Sequence, residues 1–174
     1  MEPIVSIESV LDALREVARA CAGPGEGRAL PVRRGPIDEV WVTLPAGCVR
    51  SAVQMLVQEL EIRHLSTITA SDLSAADPQS AEPKPADRRS GGLEVIYHFW
   101  LGYGLSLRCR LPYDDPRLQS VSDLIPGAAF YEREVAEMLG VVFDGHPDPG
   151  LLLLPDDWAG GAPLRYDYQP GEDL

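Results

Sequence analysis

Two adjacent runs near the middle of the chain limit the possible folds more than any other part of the sequence. Residues 93–101 (LEVIYHFWL) and 105–111 (LSLRCRL) are rich in aliphatic and aromatic side chains, and the turn sequence GYG separates them. In the second run, apolar residues alternate with Ser and Arg. This alternation predicts a strand with one buried and one polar face, and the short turn predicts a hairpin. The sequence therefore predicts a sheet that helices cover on one face.

The segments before this hairpin predict the other parts of a two-layer domain. Apolar residues recur at helical spacing in two segments, and β-branched residues typical of strands occur in two others. The predicted elements are a helix that opens at 6–9 and stops before Gly23, a loop to Pro36, a strand at 39–44, a helix over about 49–61 and a strand at 64–70. The two helices would pack on one face of a mixed or antiparallel sheet, so the predicted fold class is α+β.

Composition divides the chain into two predicted parts. Residues 1–125 are predicted to form the α+β scaffold, and residues 126–174 a helix, a turn and an extended C-terminal docking segment. Residues 74–90 are rich in Ser, Ala, Asp and Pro, which predicts a flexible insertion within the scaffold. Residues 118–124, just before the second part, are predicted to form a short helix.

Net charge and cysteine content argue against several classes of protein. The chain has 15 basic and 27 acidic side chains, a net charge of −12, which argues against binding to nucleic acid or to an anionic membrane. Its three cysteines, Cys21, Cys48 and Cys109, lack the spacing of a zinc or iron–sulfur site and suit a reducing compartment. No apolar run approaches the ~20 residues that cross a bilayer, so any association with a membrane is expected to involve partners.

A helix over residues 126–139, stopped by a glycine, is the first element of the C-terminal part. Glu132 and Glu134 flank its apolar stripe, and a carboxylate in that position needs a cation because unpaired burial is costly. The candidate partners are Arg108, Arg110 and Arg165. Arg133 and Glu137 are predicted to be the outermost residues of the helix and to pair weakly across one turn.

The turn after this helix contains a histidine between acidic residues (DGHPD, residues 144–148). Pro147 restricts His146 to an extended backbone conformation, and we expect the ring to bond the backbone and fix the turn. An alternative is a metal site in a small stand-alone enzyme, with the ligands Glu132, Glu134, His146 and Asp148. His98, in the first strand of the hairpin, is predicted to be a satisfied core or interface histidine.

The chain then becomes apolar without a regular pattern. Four consecutive leucines (151–154) cannot all be buried by one strand or one helical turn, so we expect deep burial or a partner that covers them. Trp158 follows a Pro-Asp-Asp turn and is predicted to anchor an interface. Residues 160–174 are rich in Gly and Pro and are expected to lie on a neighbouring protein. A free adaptor that recruits a soluble partner through residues 149–174 is a second alternative.

No catalytic, cofactor-binding or metal-binding residue is assigned in the preferred interpretation. The sequence has no GxGxxG or GxxxxGK phosphate-binding motif, and it supports no Ser/His/Asp or Cys/His arrangement. The chain is therefore predicted to lack an active site of its own.

The C-terminal part also resembles a known family. The matching segments are YERE at 131–134, EMLGV at 137–141, FDGHPD at 143–148, LLLPDDW at 152–158 and PLRYDY at 163–168. In order and spacing they resemble the C subunit of respiratory complex I (NADH:quinone oxidoreductase) and its counterpart in membrane-bound, energy-converting NiFe hydrogenases. Residues 67–72 (TITASD) resemble the second strand of the family.

The resemblance implies a non-catalytic subunit in the peripheral arm of a membrane-bound oxidoreductase that couples electron transfer to ion translocation. It implies contacts with the subunit homologous to the large subunit of NiFe hydrogenases and with iron–sulfur subunits, and indirect contact with the membrane arm. Iron–sulfur clusters, and a NiFe centre in the hydrogenase branch, would lie in those neighbours, on the cytoplasmic side of the cell membrane. The residues that the motifs and the resemblance assign to the partner interface or to its structural framework are Glu132, Arg133, Glu134, Gly140, Gly145, His146, Pro147, Asp148, Leu153, Leu154, Pro155, Trp158, Pro163, Leu164 and Arg165.

Two short stretches depart from the pattern of this family. The family usually has a basic run after the His-Pro-Asp turn, where this chain has Pro149-Gly150-Leu151. It usually has His and Lys where this chain has Ala162 and Tyr166. These changes imply either a different partner surface or a segment that is held less tightly. The resemblance leaves two branches open, quinone reduction and hydrogen metabolism.

Overall fold

The computed structural model of the protein describes residues 5–21, 31–34, 39–73 and 91–170. Within these ranges the helices are α1 (Ile7–Cys21), a 3-10 turn (Ala46–Cys48), α2 (Val49–Gln58) and α3 (Ala128–Leu139). The strands are β1 (Val32–Arg34), β2 (Glu39–Thr43), β3 (Leu65–Asp72), β4 (Leu93–Trp100), β5 (Gly104–Leu111), β6 (Arg117–Gln119) and β7 (Val142–Asp144). None of the described helices is long and apolar enough to cross a membrane.

One layer of the described structure is a mixed five-stranded sheet in the order β1-β2-β5-β4-β3. Strands β2 and β5 run parallel, whereas the other neighbouring strands are antiparallel. The predicted hairpin is confirmed, because β4 pairs with β5 up to the closing pair Trp100 and Gly104. Gly102 forms the turn with a φ of 88°, a conformation that favours glycine. The α+β prediction is also confirmed.

The two faces of the sheet differ as the alternation predicts. Alternate residues of β4 and β5, among them Tyr97 and Leu107, are fully buried in the core. The opposite face carries most of the polar side chains of the sheet, and there His98 hydrogen-bonds to the hydroxyl groups of Thr69 at 3.0 Å and Ser106 at 2.9 Å. The prediction that His98 is a satisfied histidine is therefore confirmed.

All three described α-helices contribute to one continuous core on the apolar side of the sheet. Leu14 of α1 and Leu56 of α2 are completely buried, and these two helices contact each other. Helix α3 lies beside β3 and adds Val135 and Leu139 to the same core. The sequence predicts cover from the first two helices, and the structure adds α3 as a third.

Two short strands occupy positions for which the sequence predicts other structure. Strand β6 pairs in parallel with β7, and the chain turns after it, so the helix predicted over 118–124 is wrong. Strand β1 pairs with β2 inside the stretch that is predicted to be a loop. Both strands form because a partner strand is available in the fold. The local sequence pattern carries no information about that partner. Residues 23–30 and 35–36 of the predicted loop, and the insertion predicted at 74–90, lie outside the described residues.

Candidate functional site

Helix α3 ends at the glycine that the sequence predicts. Gly140 has a left-handed conformation with a φ of 70°, and its N–H donates to the carbonyl of Ala136 at 2.8 Å. A Cβ atom at Gly140 would lie 3.3 Å from Nη1 of Arg165. The glycine therefore ends the helix and also leaves room for the C-terminal segment that returns to it. The helix begins at Ala128 rather than at the predicted Pro126.

Glu132 is a fully buried carboxylate on α3. It accepts hydrogen bonds from the hydroxyl of Ser120 at 2.6 Å and from the N–H of Val121 at 2.7 Å. The hydroxyl groups of Ser120 and Ser122 lie 2.7 Å apart, so a polar network joins α3 to the loop after β6. Burial raises the pKa of Glu132, and the hydrogen bonds from Ser120 and Val121 oppose that shift.

The arginines of β5 do not neutralise this carboxylate as predicted. Arg108 and Arg110 lie 3.5 and 3.8 Å from Glu94, on the polar face of the sheet. The basic side chain beside Glu132 is His146, whose Nε2 lies 3.8 Å from Oε2 of the carboxylate. The expected arginine partner is therefore wrong, and hydrogen bonds from a neighbouring loop satisfy Glu132 instead.

His146 holds the turn after β7 through both nitrogens of its ring. Nδ1 accepts a hydrogen bond from the N–H of Asp148 at 3.0 Å, and Nε2 donates to the carbonyl of Ala129 at 3.0 Å. Gly145, which precedes the histidine, has a φ of 84° that favours glycine. These contacts confirm that His146 bonds the backbone and fixes the turn, and they attach the turn to the first part of α3.

The alternative metal site is not assembled. Glu132 and His146 are neighbours, but Glu134 is exposed and Asp148 pairs with Arg133 at 3.1 Å. Among the residues that the structure describes, no group of three or more His, Cys, Asp or Glu side chains could hold a metal ion. The four side chains therefore do not form the site that the stand-alone enzyme hypothesis requires.

Arg133 and Glu137 form a clamp on the segment that contains the leucines. Arg133 Nε donates to the carbonyl of Gly150 at 2.9 Å, and Nη2 donates to the carbonyl of Leu151. One turn later on α3, the carboxylate of Glu137 accepts hydrogen bonds from the N–H groups of Leu152 and Leu153, both at 2.9 Å. Arg133 thus donates to the carbonyls of residues 150 and 151, and Glu137 accepts from the N–H groups of residues 152 and 153.

The clamp corrects the position that the sequence predicts for Glu137. Instead of lying on the outer face of the helix, Glu137 is buried at 8% exposure beneath the leucine segment. Several amide donors surround one carboxylate oxygen, because Oε2 of Glu137 also lies 3.4 Å from the N–H of Leu154. Hydrogen bonds to a charged acceptor are stronger than neutral ones, so this contact fixes the backbone of the segment.

The C-terminal segment folds back onto its own chain. Arg165 donates to the carbonyls of Tyr113 at 2.7 Å and Leu139 at 3.4 Å, and its guanidinium lies 4.0 Å from the centroid of the Tyr113 ring. The N–H of Leu164 donates to the carbonyl of Met138 at 2.9 Å. The described part of this segment thus contacts its own chain, while the expected contact with a neighbouring protein stays a prediction. The predicted contact between Arg165 and a glutamate of α3 does not form, because Arg165 contacts two carbonyls and the ring of Tyr113 instead.

Trp158 packs within the same segment. Its Nε1 donates to the carbonyl of Gly161 at 2.7 Å, and its ring stacks on Tyr168 with centroids 6.2 Å apart. Three large apolar side chains of the segment nevertheless remain open to solvent, and we call them the exposed apolar triplet. They are Leu153, Leu164 and Tyr166, with exposures of 62%, 63% and 56%.

Sequence patterns miss the groups that complete this arrangement. Ser120 and Val121 lie within the segment wrongly predicted to be a helix, so the pattern does not show that they reach α3. Asp72, at the end of β3, accepts a hydrogen bond from the N–H of Tyr166 at 2.9 Å and so ties the tail to the sheet. The run of small polar residues around Val121 is the one local signal of a loop that could bind a carboxylate.

Comparison with known proteins identifies relatives over most of the chain. The family model of the 30 kDa subunit of respiratory-chain NADH dehydrogenase matches residues 42–173. NADH-quinone oxidoreductase subunit 5 of Thermus thermophilus is 32% identical over 93% of this chain and 73% of its own length. The C subunit of the F(420)H(2) dehydrogenase of Methanosarcina mazei is 43% identical over 44% of this chain and 51% of its own length.

Solved structures agree with this assignment. A trypsin-resistant fragment of Nqo5 aligns with 80% of this chain and 98% of its own, with a TM-score of 0.53 and 29% identity. A chain of the archaeal membrane-bound sulfane sulfur reductase shares the fold, with a TM-score of 0.64 and 23% identity over 91% of this chain and 84% of its own. The resemblance seen in the C-terminal motifs is confirmed, and the chain belongs to the family of the 30 kDa subunit of respiratory-chain NADH dehydrogenase.

Proposed function

We propose that this chain is the 30 kDa-type subunit of a membrane-bound, complex-I-like oxidoreductase and that it supports neighbouring subunits without an active site of its own. Its relatives are named as subunits of NADH-quinone oxidoreductases and of an F(420)H(2) dehydrogenase, and a neighbour in fold belongs to a respiratory membrane complex. The observation that carries the proposal is the clamp, which holds an apolar segment in a fixed shape while Leu153 faces solvent. Apolar side chains presented on a rigid backbone are typical of a docking surface.

The proposed partner is the subunit homologous to the large subunit of NiFe hydrogenases, with the iron–sulfur subunits beside it. The exposed apolar triplet would contact that large subunit, and Arg133 would act indirectly by fixing the segment. Iron–sulfur clusters would reside in the neighbours, and the chain would sit peripherally on the cytoplasmic side of the membrane. Aromatic and arginine side chains are enriched at protein interfaces, and here Tyr166 follows Arg165.

The departures at 149–151 and 162–166 support a changed partner surface rather than a loosely held segment. Arg133 and Glu137 bind main-chain atoms of residues 150–153, so the segment is held without the basic side chains that the family usually carries there. Ala162 lies 3.7 Å from the position of a Cβ atom on Gly140, close to the end of α3. We infer that the missing basic side chains alter what the partner meets, and the names of the relatives favour the dehydrogenase branch over the hydrogenase branch.

The test is co-purification of partners from membranes of cells that produce the tagged full-length chain. Mass spectrometry should recover a homologue of the hydrogenase large subunit, and Leu153→Asp should reduce its recovery by about tenfold or more. Burying a leucine contributes about 1.5–3 kcal/mol, and an aspartate there would add the cost of a buried charge. Leu153→Met, which retains an apolar side chain of similar volume, is the matched control and should leave recovery unchanged.

The adaptor alternative predicts a different set of captured proteins. Removal of residues 149–174 should abolish capture in either case, so the identity of the captured protein decides between the two. Recovery of a soluble protein without any subunit of a membrane oxidoreductase would support the adaptor and contradict the proposed function. A large subunit with nickel-binding cysteines would place the chain in the hydrogenase branch, whereas one without them would place it with quinone reductases.

A further inference from the structure

A small cavity lies between α3, β7 and the turn that contains His146. Its volume is about 190 Å³, below the range of about 300–1,000 Å³ that is typical of pockets for drug-sized ligands. The lining is mostly apolar and includes Ala136, Val141 and Pro149. Val142 also lines the cavity and is 41% exposed, so the cavity is open to solvent on that side. The space therefore suits one long side chain better than a cofactor.

One of the residues that line this cavity is Glu132, whose carboxylate is fully buried. Ser120 and Val121 each donate a hydrogen bond to it, but neither brings a positive charge. A carboxylate can accept about four hydrogen bonds, so this group retains capacity for further donors. Burial of a charge is costly unless a cation pairs with it. The cavity therefore offers an anionic group that lacks a cation.

His146 does not supply that cation. It is the only basic side chain in the described part of the chain that is close enough for an ion pair, with Nε2 3.8 Å from Oε2 of Glu132. Its Nδ1 accepts a hydrogen bond from the N–H of Asp148, and its Nε2 donates to the carbonyl of Ala129. A ring that accepts at one nitrogen and donates at the other is the neutral tautomer. The contact with Glu132 therefore brings no charge.

The other basic side chain at the cavity, Arg133, is engaged elsewhere. Its guanidinium binds the carbonyls of residues 150 and 151, and Nη1 lies 3.1 Å from the carboxylate of Asp148. Residues 149–164, which continue from the turn beside the cavity, contain no Lys or Arg. The neighbouring parts of the chain therefore leave the charge of Glu132 to be paired from outside.

We propose that the cavity binds a Lys or Arg side chain of a neighbouring subunit, with its aliphatic stem against Ala136 and Pro149 and its cationic head at Glu132. This inference rests on the proposed function, which supplies the neighbouring subunit. Long basic side chains fit such a site because they bury an apolar stem and carry a charged head. Ser120 and Val121 already fix the carboxylate, so little reorganisation would be needed on binding.

The first measurement is the rate at which captured subunits dissociate from the immobilised, tagged full-length chain. Glu132→Gln removes the charge and keeps a hydrogen-bonding side chain of the same length. Loss of one member of a buried charge pair mainly changes the dissociation rate, so dissociation should accelerate by about tenfold or more. Ala136→Leu, which fills the cavity and leaves Glu132 in place, should have a similar effect.

Two variants serve as matched controls for these changes. Glu134→Gln removes an exposed carboxylate from the same helix, and Ala13→Leu makes the same increase in size on α1. Neither position lines the cavity. Both variants should therefore retain the dissociation rate of the wild type.

Chemical footprinting of the captured subunits separates a bound basic side chain from a general loosening of α3. The N-hydroxysuccinimide ester of acetic acid modifies accessible lysines, phenylglyoxal modifies accessible arginines, and peptide mapping locates the modified residues. One basic side chain of the neighbouring subunit should be protected in the wild-type complex. The same side chain should become reactive in the complexes of Glu132→Gln and Ala136→Leu.

The outcomes also distinguish this inference from the proposed function. A wild-type chain that captures no subunit of a membrane oxidoreductase would contradict the proposed function. Capture with equal dissociation rates for the wild type, Glu132→Gln and Ala136→Leu would overturn the inference alone. An identical footprint in all three complexes would overturn it too, even if Glu132→Gln dissociates faster, because the carboxylate would then act only within its own fold.

Discussion

At Glu132, burial and hydrogen bonding act on one carboxyl group in opposite directions. Burial is the larger cause and raises its pKa above the ordinary value of 4.5, while donors from Ser120 and Val121 favour the charged form. The folded chain therefore holds this proton more tightly than the unfolded chain does. Such a group stabilises the folded state fully at a pH below its pKa in the unfolded chain. This stabilisation is lost as the pH rises through its pKa in the folded chain.

The substitution Glu132→Gln tests the direction of this pH dependence. The amide retains an acceptor for Val121 and a partner for Ser120, but it does not titrate. The difference in free energy of unfolding, variant minus wild type, should therefore increase as the pH rises above 4.5, the ordinary pKa of the group. Urea unfolding at a series of pH values measures it. Glu134→Gln, an exposed change on the same helix, should show no comparable trend, and a pH-independent difference for Glu132→Gln would contradict the assignment.

Single residues show where sequence reasoning succeeds. The glycine that ends α3 and the histidine that fixes the following turn depend on local backbone geometry, and both are predicted. The partner of Glu132 is not, because Ser120 and Val121 reach it only after β6 has paired with β7. A buried carboxylate suggests a cation by default, whereas here a loop supplies an N–H and a hydroxyl.

Among the elements, α3 combines two functions on two faces. Val135 and Leu139 face the core, and Arg133 and Glu137 bind the leucine segment. This division explains why the helix carries charged residues at positions that are not fully exposed. The apolar stripe alone predicts the helix correctly, but the clamp requires the position of a segment that has no regular secondary structure.

Removal of Glu137 should loosen the leucine segment without unfolding the helix. Glu137→Ala leaves the N–H groups of Leu152 and Leu153 without an acceptor, at a cost of about 1–3 kcal/mol. Amide hydrogen exchange at these two residues should accelerate by about tenfold or more. Glu134→Ala, an exposed change on the same helix, should leave both exchange rates unchanged. Equal protection of the two amides in Glu137→Ala would show that the carboxylate does not hold the segment.

The strands also differ in how well the local sequence predicts them. Strands β4 and β5 are predictable because each carries its own alternation and a short turn joins them. Strands β1, β6 and β7 are too short to carry a pattern, and pairing with another strand defines them. The sequence therefore predicts the architecture and most of its core, while short pairings at the edges depend on tertiary contacts.

In the whole molecule, the C-terminal segment is bound to both layers of the domain. Arg165 joins it to Tyr113 after β5 and to the end of α3, and the N–H of Tyr166 joins it to the carboxylate of Asp72 in β3. Contacts with residues so distant in sequence make the segment part of the folded unit. An isolated peptide with the same sequence would lack these acceptors.

Arg165 should control whether the segment stays bound. Arg165→Ala removes two charge-assisted hydrogen bonds and the contact with the Tyr113 ring, with an expected loss of about 1–3 kcal/mol. Chymotrypsin should then cleave at Leu164 and Tyr166 about tenfold faster, because cleavage follows the population of the open form.

Two further variants serve as comparisons for the cleavage rate of Arg165→Ala. Arg165→Lys keeps the charge but loses the planar fork, so it should lie between wild type and Arg165→Ala. Arg15→Ala, which removes an exposed arginine of α1, should not change the cleavage rate. Unchanged cleavage in Arg165→Ala would mean that other contacts of the segment are sufficient.

The clamp on residues 150–153 has a consequence for divergence within the family. Within residues 150–153, Arg133 and Glu137 bind only main-chain carbonyls and amides, so these contacts do not depend on which side chains the segment carries. Proline is the exception at 152 and 153, because it has no N–H to donate. A relative that keeps both side chains can therefore change the exposed side chains of this segment and keep the same backbone path.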